Sequence, residues 1–311
     1  MERAGTVDVI IPVYLPDSKL ELLLERMKKQ TIPPNKIILM HTVVPGKESI
    51  LIPYQEKFEV EVHDISKNEF DHGRTRNAGA GFSNAEYILF MTQDAVPEDK
   101  HLIENLLNGF SQESIGICYA RQLPGKHSDE IERFTRNFNY SDEDIIKSEK
   151  DMKTLGIKAF FCSDVCAVYR RKYFDEIGGF VEKTIFNEDA IMAYYFLIKG
   201  YQVHYVSSAR VIHAHKYTYR QQFTRNFDLG VSHAQYSEIF EAVKSETEGI
   251  KLVKDTLDYL CKSRRYWKIP DLIFTSGFKF LGYRFGKKYR RLPKGLVVKL
   301  SMNKGFWNEG K

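Results

Sequence analysis

Cysteine is scarce in this 311-residue chain: Cys118, Cys162, Cys166 and Cys261, with no CxxC pair among them. That excludes a zinc ribbon and a disulfide framework. No apolar run approaches the ~18 residues that span a bilayer. The opening residues, MERAGTVDV, lack the apolar core of a signal peptide. A cytoplasmic protein is therefore expected. No GxGxxG follows an apolar run, and Gly79-Ala-Gly81 falls inside a helical pattern, which counts against a dinucleotide oxidoreductase. Internal repeats and low-complexity linkers are absent too. With 43% hydrophobic and 28% charged residues, the composition excludes disordered and fibrous classes.

Charge is plentiful but unevenly placed. From Lys262 to Lys311 there are 14 Lys and Arg against Asp271 and Glu309, a net +12. The whole chain is +5, so the preceding 261 residues carry −7. A mildly acidic body with a basic tail points to an anionic surface partner, membrane or nucleic acid.

The first half alternates short apolar runs with helical patterns, as in an α/β domain with a largely parallel sheet. Strands are expected at Val7–Val13, Lys36–Met40, Val60–Ile65, Tyr87–Thr92, Ile115–Arg121 and Ser163–Arg170. Two further strand-like runs are Val203–Val206 and Arg210–His215. Leu20, Leu23, Leu24 and Met27 form one helical stripe, and Asn187 is placed to cap a helix ending at Gly200. The stretch 122–154 is polar and shows no clear strand, so it reads as an insertion over the sheet's edge. Everything after Tyr217 reads as helical. The resulting division is an α/β domain over 1–225 and a helical extension over 226–311.

Several residues have chemistry to offer. Asp94 stands just past a buried strand, where ligands bind in open α/β sheets, and a carboxylate there suits Mg²⁺ or Mn²⁺ against a diphosphate. Glu188 and Asp189 begin a helix, where acids complement the macrodipole or, turned into a cleft, take a proton. His213 and His215 share a strand face and could approach one ion. Cys162 and Cys166 share another, where core packing is the simpler account. The cluster Phe70-Asp-His-Gly-Arg-Thr-Arg-Asn77 sits ahead of a short helix, whose N-terminus suits an anionic diphosphate. In the tail, Phe274, Phe278, Leu281 and Phe285 make one helical stripe beside many Lys and Arg. That stripe suits an anionic leaflet, the catalytic body or a second subunit. It is not an interleaved stacking platform, which disfavours nucleic acid.

The order and spacing of these signals resemble inverting glycosyltransferase family 2, with its GT-A (Rossmann-like) fold. The residues that carry the resemblance are VIIPVY, Arg76-Asn77-x-Gly79, a strand ending in Asp94 and Pro97, Gly178-Gly179-Phe180, Asn187-Glu188-Asp189 and a His after a later strand. F-x-H-G-x-T-R-N and T-Q-D-A are similar to the rhamnosyltransferase branch. The resemblance covers about residues 6–240. It implies Asp94 as the last Asp of the DxD metal motif, His215, or failing that His213, as the C-terminal metal ligand, and Asp189 as the catalytic base. Pro12, Val13 and Tyr14 would line the nucleotide pocket, with His72, Arg76, Asn77 and Gln93 as further donor-side candidates. Glu188, His213 and Asp164 would support the site or its acceptor side. The donor would be dTDP-β-L-rhamnose, the acceptor a glycan or glycolipid, and the place of work the inner face of the cell membrane. A homodimer through the tail is a further expectation.

Two departures from the family pattern stand out. Thr92 occupies the first Asp of the DxD, and the loop after the second strand, His41-Thr-Val-Val-Pro-Gly, lacks the family's acid. A UDP-hexose donor on the same fold, a nucleic-acid-binding protein and a catalytically silent scaffold stay open as rivals. Nucleotidyltransferases are disfavoured, because Tyr14-Leu-Pro-Asp replaces their Gly-rich loop.

Overall fold

A computed structural model describes residues 5–243 and 246–308; the first four residues and the tail's Glu309 and Lys311 lie outside them. Among the described residues nine strands form one mixed sheet: β1 (Val7–Val13), β2 (Lys36–Thr42), β3 (Glu61–Ile65), β4 (Tyr87–Met91), β5 (Val96–Pro97), β6 (Ile115–Leu123), β7 (Ile145–Lys147), β8 (Cys166–Arg170) and β9 (Gln202–Ile212). Their order is β3-β2-β1-β4-β8-β6-β9-β5, with β7 also on β9. β1 runs parallel to β2 and β4, while β8 is antiparallel to both β4 and β6, and β9 is parallel to β6. The carboxyl ends of β1, β4 and β9 therefore open on the same edge of the sheet.

Both faces of the sheet are covered, which is why its strands read as unbroken apolar runs. Along β1, Val7, Val9, Ile11 and Val13 enter one core layer and Ile10 the other. The expected helical stripe Leu20, Leu23, Leu24 and Met27 is buried in the first layer on α1 (Ser18–Met27), whose cap is Asp17. The other long helices are α2 (His72–Gly81), α3 (Glu130–Asn139), α4 (Glu188–Ile198), α5 (Tyr219–Gln235), α6 (Glu246–Lys262) and α7 (Ile269–Lys287).

Some expectations are corrected. The stretch 122–154 does lie at the sheet's edge, but it contains α3 and the strand β7, paired antiparallel with β9. A three-residue strand with exposed Ile145 and Ile146 carries too little alternation to be seen in sequence. The two runs around 203–215 are one strand, ending at Ile212. Cys162 precedes β8 and packs in the opposite layer from Cys166, so the two share no face. Asn187 does not cap α4: it adopts a left-handed backbone (φ 68°), and its amide donates to Ser232 Oγ on α5 at 3.2 Å.

Helices α5 and α7 cross at very short range. A methyl on Gly282 would lie 2.2 Å from the Phe223 carbonyl oxygen, and one on Gly286 2.0 Å from that of Phe227. Only glycine lets the backbones approach so closely. The residue 225 boundary expected from sequence falls inside α5.

Candidate active site

At the shared carboxyl edge, Asp94 follows β4, and His213 and His215 follow β9. One ligand atom from each lies within 4.8 Å of the others. His215 Nε2 is 3.2 Å from Asp94 Oδ2, His213 Nε2 is 3.6 Å from Asp94 Oδ1, and the two Nε2 atoms are 2.8 Å apart. The histidines lie beyond the strand rather than on it, and their rings meet edge-on.

A second layer of residues orients this corner. His213 Nδ1 lies 3.0 Å from Gln122 Oε1, which can only accept, so Nδ1 carries the proton and the Nε2 lone pair faces Asp94 and His215. Burial, with His215 next in effect, pushes the His213 pKa far down and keeps its ring neutral. Arg136 on α3 donates to the same Gln122 oxygen, and Gln122 Nε2 donates to Ser163 Oγ at 2.9 Å. Nothing in the sequence singled out Gln122, Arg136 or Ser163. Only the fold brings together residues 41 and 91 positions apart.

The loop that holds Ser163 also reaches the acidic residues. Asp164 N–H donates to Asp189 Oδ2 at 3.2 Å, and Ala190 N–H donates to Asp189 Oδ1 at 2.7 Å. Asp189 is half-buried, leaving a path to a bound hydroxyl. Burial, reinforced by the neighbouring Glu188 charge, raises its pKa, which makes it a stronger base than an ordinary aspartate. Beneath it, Arg76 is 4% exposed and Asp164 2%. Arg76 Nη1 donates to Glu188 Oε1 at 3.0 Å, and Arg76 Nε lies 3.4 Å from Asp164 Oδ2. Tyr169 donates to the other Asp164 oxygen at 2.7 Å. Burial pushes Asp164 well above the usual carboxylate range despite Arg76, so the charge partner of Arg76 is Glu188.

This packing changes the reading of the Phe70–Asn77 cluster. Its polar groups are turned mostly inward rather than toward a ligand. Asp71 caps α2, and a methyl on Gly73 would lie 2.0 Å from the Val181 carbonyl oxygen. Asn77, expected on the donor side, spends its amide on the Gly178-Gly179-Phe180 turn: Nδ2 donates to the Phe180 carbonyl at 2.9 Å, and Oδ1 accepts from Phe180 N–H at 2.8 Å. Arg76, expected near phosphates, faces the carboxylates instead. His72 stays partly open, with Nδ1 3.9 Å from Glu188. Gln93 likewise pairs with backbone, accepting from Tyr14 N–H at 2.8 Å and donating to the Tyr14 carbonyl at 3.0 Å. That clamp ties the ends of β1 and β4 together and leaves the Tyr14 ring exposed beside half-buried Pro12, while Val13 turns into the core. The acid missing after β2 has a neighbour: Asp64 on β3 accepts from His41 Nδ1 at 2.8 Å. Arg225, also unpredicted, lies over Phe186 at 4.6 Å and Tyr217 at 5.8 Å, next to both clusters.

Comparison with known proteins shows the family. Residues 8–178 match the profile of glycosyl transferase family 2. The O-antigen chain rhamnosyltransferase RfbN of Salmonella typhimurium is 39% identical over 305 residues, 97% of this chain and 96% of that one. The chain belongs to glycosyltransferase family 2. The O-antigen chain rhamnosyltransferase WbaN of Salmonella anatum is 38% identical over 90% of this chain and 89% of that one. Among solved structures, the mannosyltransferase PcManGT from Pyrobaculum calidifontis, in complex with GDP-Man and Mn²⁺, aligns over 92% of this chain and 88% of that one. Its TM-score is 0.63 at 12% identity. TarS 1-349 of S. aureus with UDP-GlcNAc gives a TM-score of 0.54, over 92% and 91% of the two chains, also at 12% identity. These likenesses establish the GT-A-like fold of a family 2 glycosyltransferase, followed by C-terminal helices.

Proposed function

We propose that this glycosyltransferase is an inverting rhamnosyltransferase of O-antigen assembly, moving L-rhamnose from dTDP-β-L-rhamnose to a hydroxyl of a glycan acceptor. The observation that carries the reading is the 39% identity to RfbN over nearly the full length of both chains. In the reaction, Asp189 accepts the proton of the acceptor hydroxyl. The oxygen attacks the anomeric carbon from the face opposite the diphosphate, the C1–O bond to phosphate breaks, and dTDP leaves. The transition state is oxocarbenium-like and a single displacement inverts the centre. Glu188 keeps Asp189 basic, and Arg76 balances Glu188 without spending its charge on substrate.

Asp94, His213 and His215 fit a divalent ion: two imidazole lone pairs and a carboxylate converge, and Gln122 fixes the tautomer of one. When bound, the ion would offset the charge that builds on the departing diphosphate. Two nitrogen donors favour Mn²⁺ over the harder, oxygen-seeking Mg²⁺.

The test is turnover of dTDP-β-L-rhamnose against UDP-hexoses on an O-antigen acceptor fragment, with the product's anomeric configuration read by NMR. Transfer from UDP-glucose alone would keep the family and discard the rhamnosyl reading. Asp189→Asn keeps an oxygen for the Ala190 N–H and gives up the longer bond from Asp164 N–H, so stability should fall by only about 1 kcal/mol while kcat falls about 10²–10⁴-fold.

A further inference from the structure

We infer that the outer face of α7, together with the tip of the α6–α7 hairpin, is a docking surface for an anionic lipid bilayer. One side of α7 is consumed by α5, through Gly282, Gly286 and the buried Leu272. The opposite side carries large apolar side chains turned to solvent. Ile273 and Phe280 are each 62% exposed and Phe274 57%, with Leu281 and Phe285 also exposed. Successive 100° steps put Ile273 and Phe280 on one flank of an outward face, Phe274 and Phe285 on the other, and Leu281 between them. The stripe expected from sequence is thus partly engaged: Phe274 and Phe278 meet Tyr219 of α5 and Phe285 meets Phe223, and the face turned to solvent extends from Leu281 to Ile273 and Phe280.

The occupant is argued from charge and from the tip. Between α6 and α7, Trp267 is 72% exposed, and Tyr266 is exposed beside it, amid Lys262, Arg264 and Lys268. Indoles and phenols at the edge of an apolar face, flanked by cations, match the boundary between headgroups and acyl chains. At the other end of α7 follow Lys288, Arg290 and Arg291, and Lys262–Lys311 carries +12. A soluble protein partner would need a matching acidic, apolar surface; an anionic leaflet supplies both properties over any area. Among the described residues no helix is long and apolar enough to cross a membrane, so the contact is interfacial. The face also sits close to the site. His215 stacks on Tyr217 at 5.3 Å, α5 starts at Tyr219, and Tyr219 stacks on Phe278 at 5.6 Å. The inference does not rest on the identity of the donor.

Flotation of the full-length chain with phosphatidylcholine vesicles, with and without phosphatidylglycerol, tests it without any turnover. The native chain should float only with the anionic vesicles, and less as salt is raised. Trp267→Ser/Phe280→Ser removes apolar side chains that are already exposed, and Lys288→Glu/Arg291→Glu reverses two charges. Each pair should keep the native melting temperature, and the charge reversal should lower partitioning by at least about thirtyfold. The inference is overturned by absence of flotation, by equal flotation with neutral vesicles, or by binding that neither variant changes. It is equally overturned if the native chain sediments as a dimer that Trp267→Ser/Phe280→Ser splits, since a second copy would then cover the face.

Discussion

Replacing Arg76 with Met isolates the charge balance beneath the proposed base. Met preserves most of the buried volume, so the loss is mainly electrostatic. The guanidinium is 4% exposed and 3.0 Å from Glu188 Oε1. At an effective dielectric of ~20, charges ~4 Å apart attract by about 4 kcal/mol. Removing one partner of such a buried pair typically costs about 3–5 kcal/mol, because the other charge is left uncompensated. For a chain of this size each kcal/mol is worth roughly 2 °C, so the melting temperature should fall by about 6–10 °C at neutral pH. The sign of the pH dependence follows from Glu188. Burial raises its pKa, but His72 and Arg76 outweigh burial and leave it below the ordinary value. A depressed carboxylate adds stability above its unfolded pKa and loses it as pH falls through its folded one. In Arg76→Met the Glu188 pKa rises instead, so the variant recovers by protonation and its deficit should shrink as pH falls. Burial raises the Asp164 pKa despite Arg76, so loss of the guanidinium shifts it in the same direction as Glu188. Thermal denaturation of both proteins across pH, with Arg76→Met/Glu188→Gln added, measures this. A deficit under about 2 °C, or one that pH and the second substitution leave unchanged, would refute the argument.

Three further outcomes are expected. Because burial and Glu188 raise the Asp189 pKa, the acidic limb of kcat/KM against pH should lie above the usual aspartate range, and Glu188→Gln should move that limb to lower pH. Gln122→Leu strands the His213 Nδ1 proton, so Mn²⁺ affinity, read from the free-Mn²⁺ EPR signal, should weaken about 10–100-fold. Gly286→Ala drives a methyl to 2.0 Å from the Phe227 carbonyl oxygen. It should cost about 1–3 kcal/mol by prising α7 from α5, visible as a lower first transition in thermal unfolding.

Legibility in the sequence followed the range of the interaction. Strands buried on both faces, such as Val7–Val13 and Tyr87–Met91, are contiguous apolar runs and were readable at nearly their true bounds. So was the stripe of α1, whose period is local. The strand β7 was not, since three residues pairing with one stretch of β9 leave no periodic trace. Asp94, His213 and His215 were found as separate hints, because each follows a strand, yet only the parallel order of β4, β6 and β9 makes those strand ends neighbours.

The Phe70–Asn77 cluster marks the point where sequence reasoning misleads for a physical reason. Arg, Asn and Gly at a helix N-terminus have the right chemistry for a diphosphate, and the same groups have the right chemistry for buried carboxylates and bare backbone. Composition cannot separate the two uses; burial does. Asn77 holds the turn before Asn187-Glu188-Asp189, Gly73 lets Val181 approach, and Arg76 meets Glu188 itself. The cluster therefore acts on the acid at Asp189 from below, while Gln122 and Ser163 act on the histidines from the side. The two supports meet in the loop 163–164, where Ser163 Oγ accepts a hydrogen bond from Gln122 Nε2 and Asp164 N–H donates to Asp189. A change to that loop should thus disturb the proposed base and the candidate metal-ligand corner together, although the residues involved lie far apart in the chain.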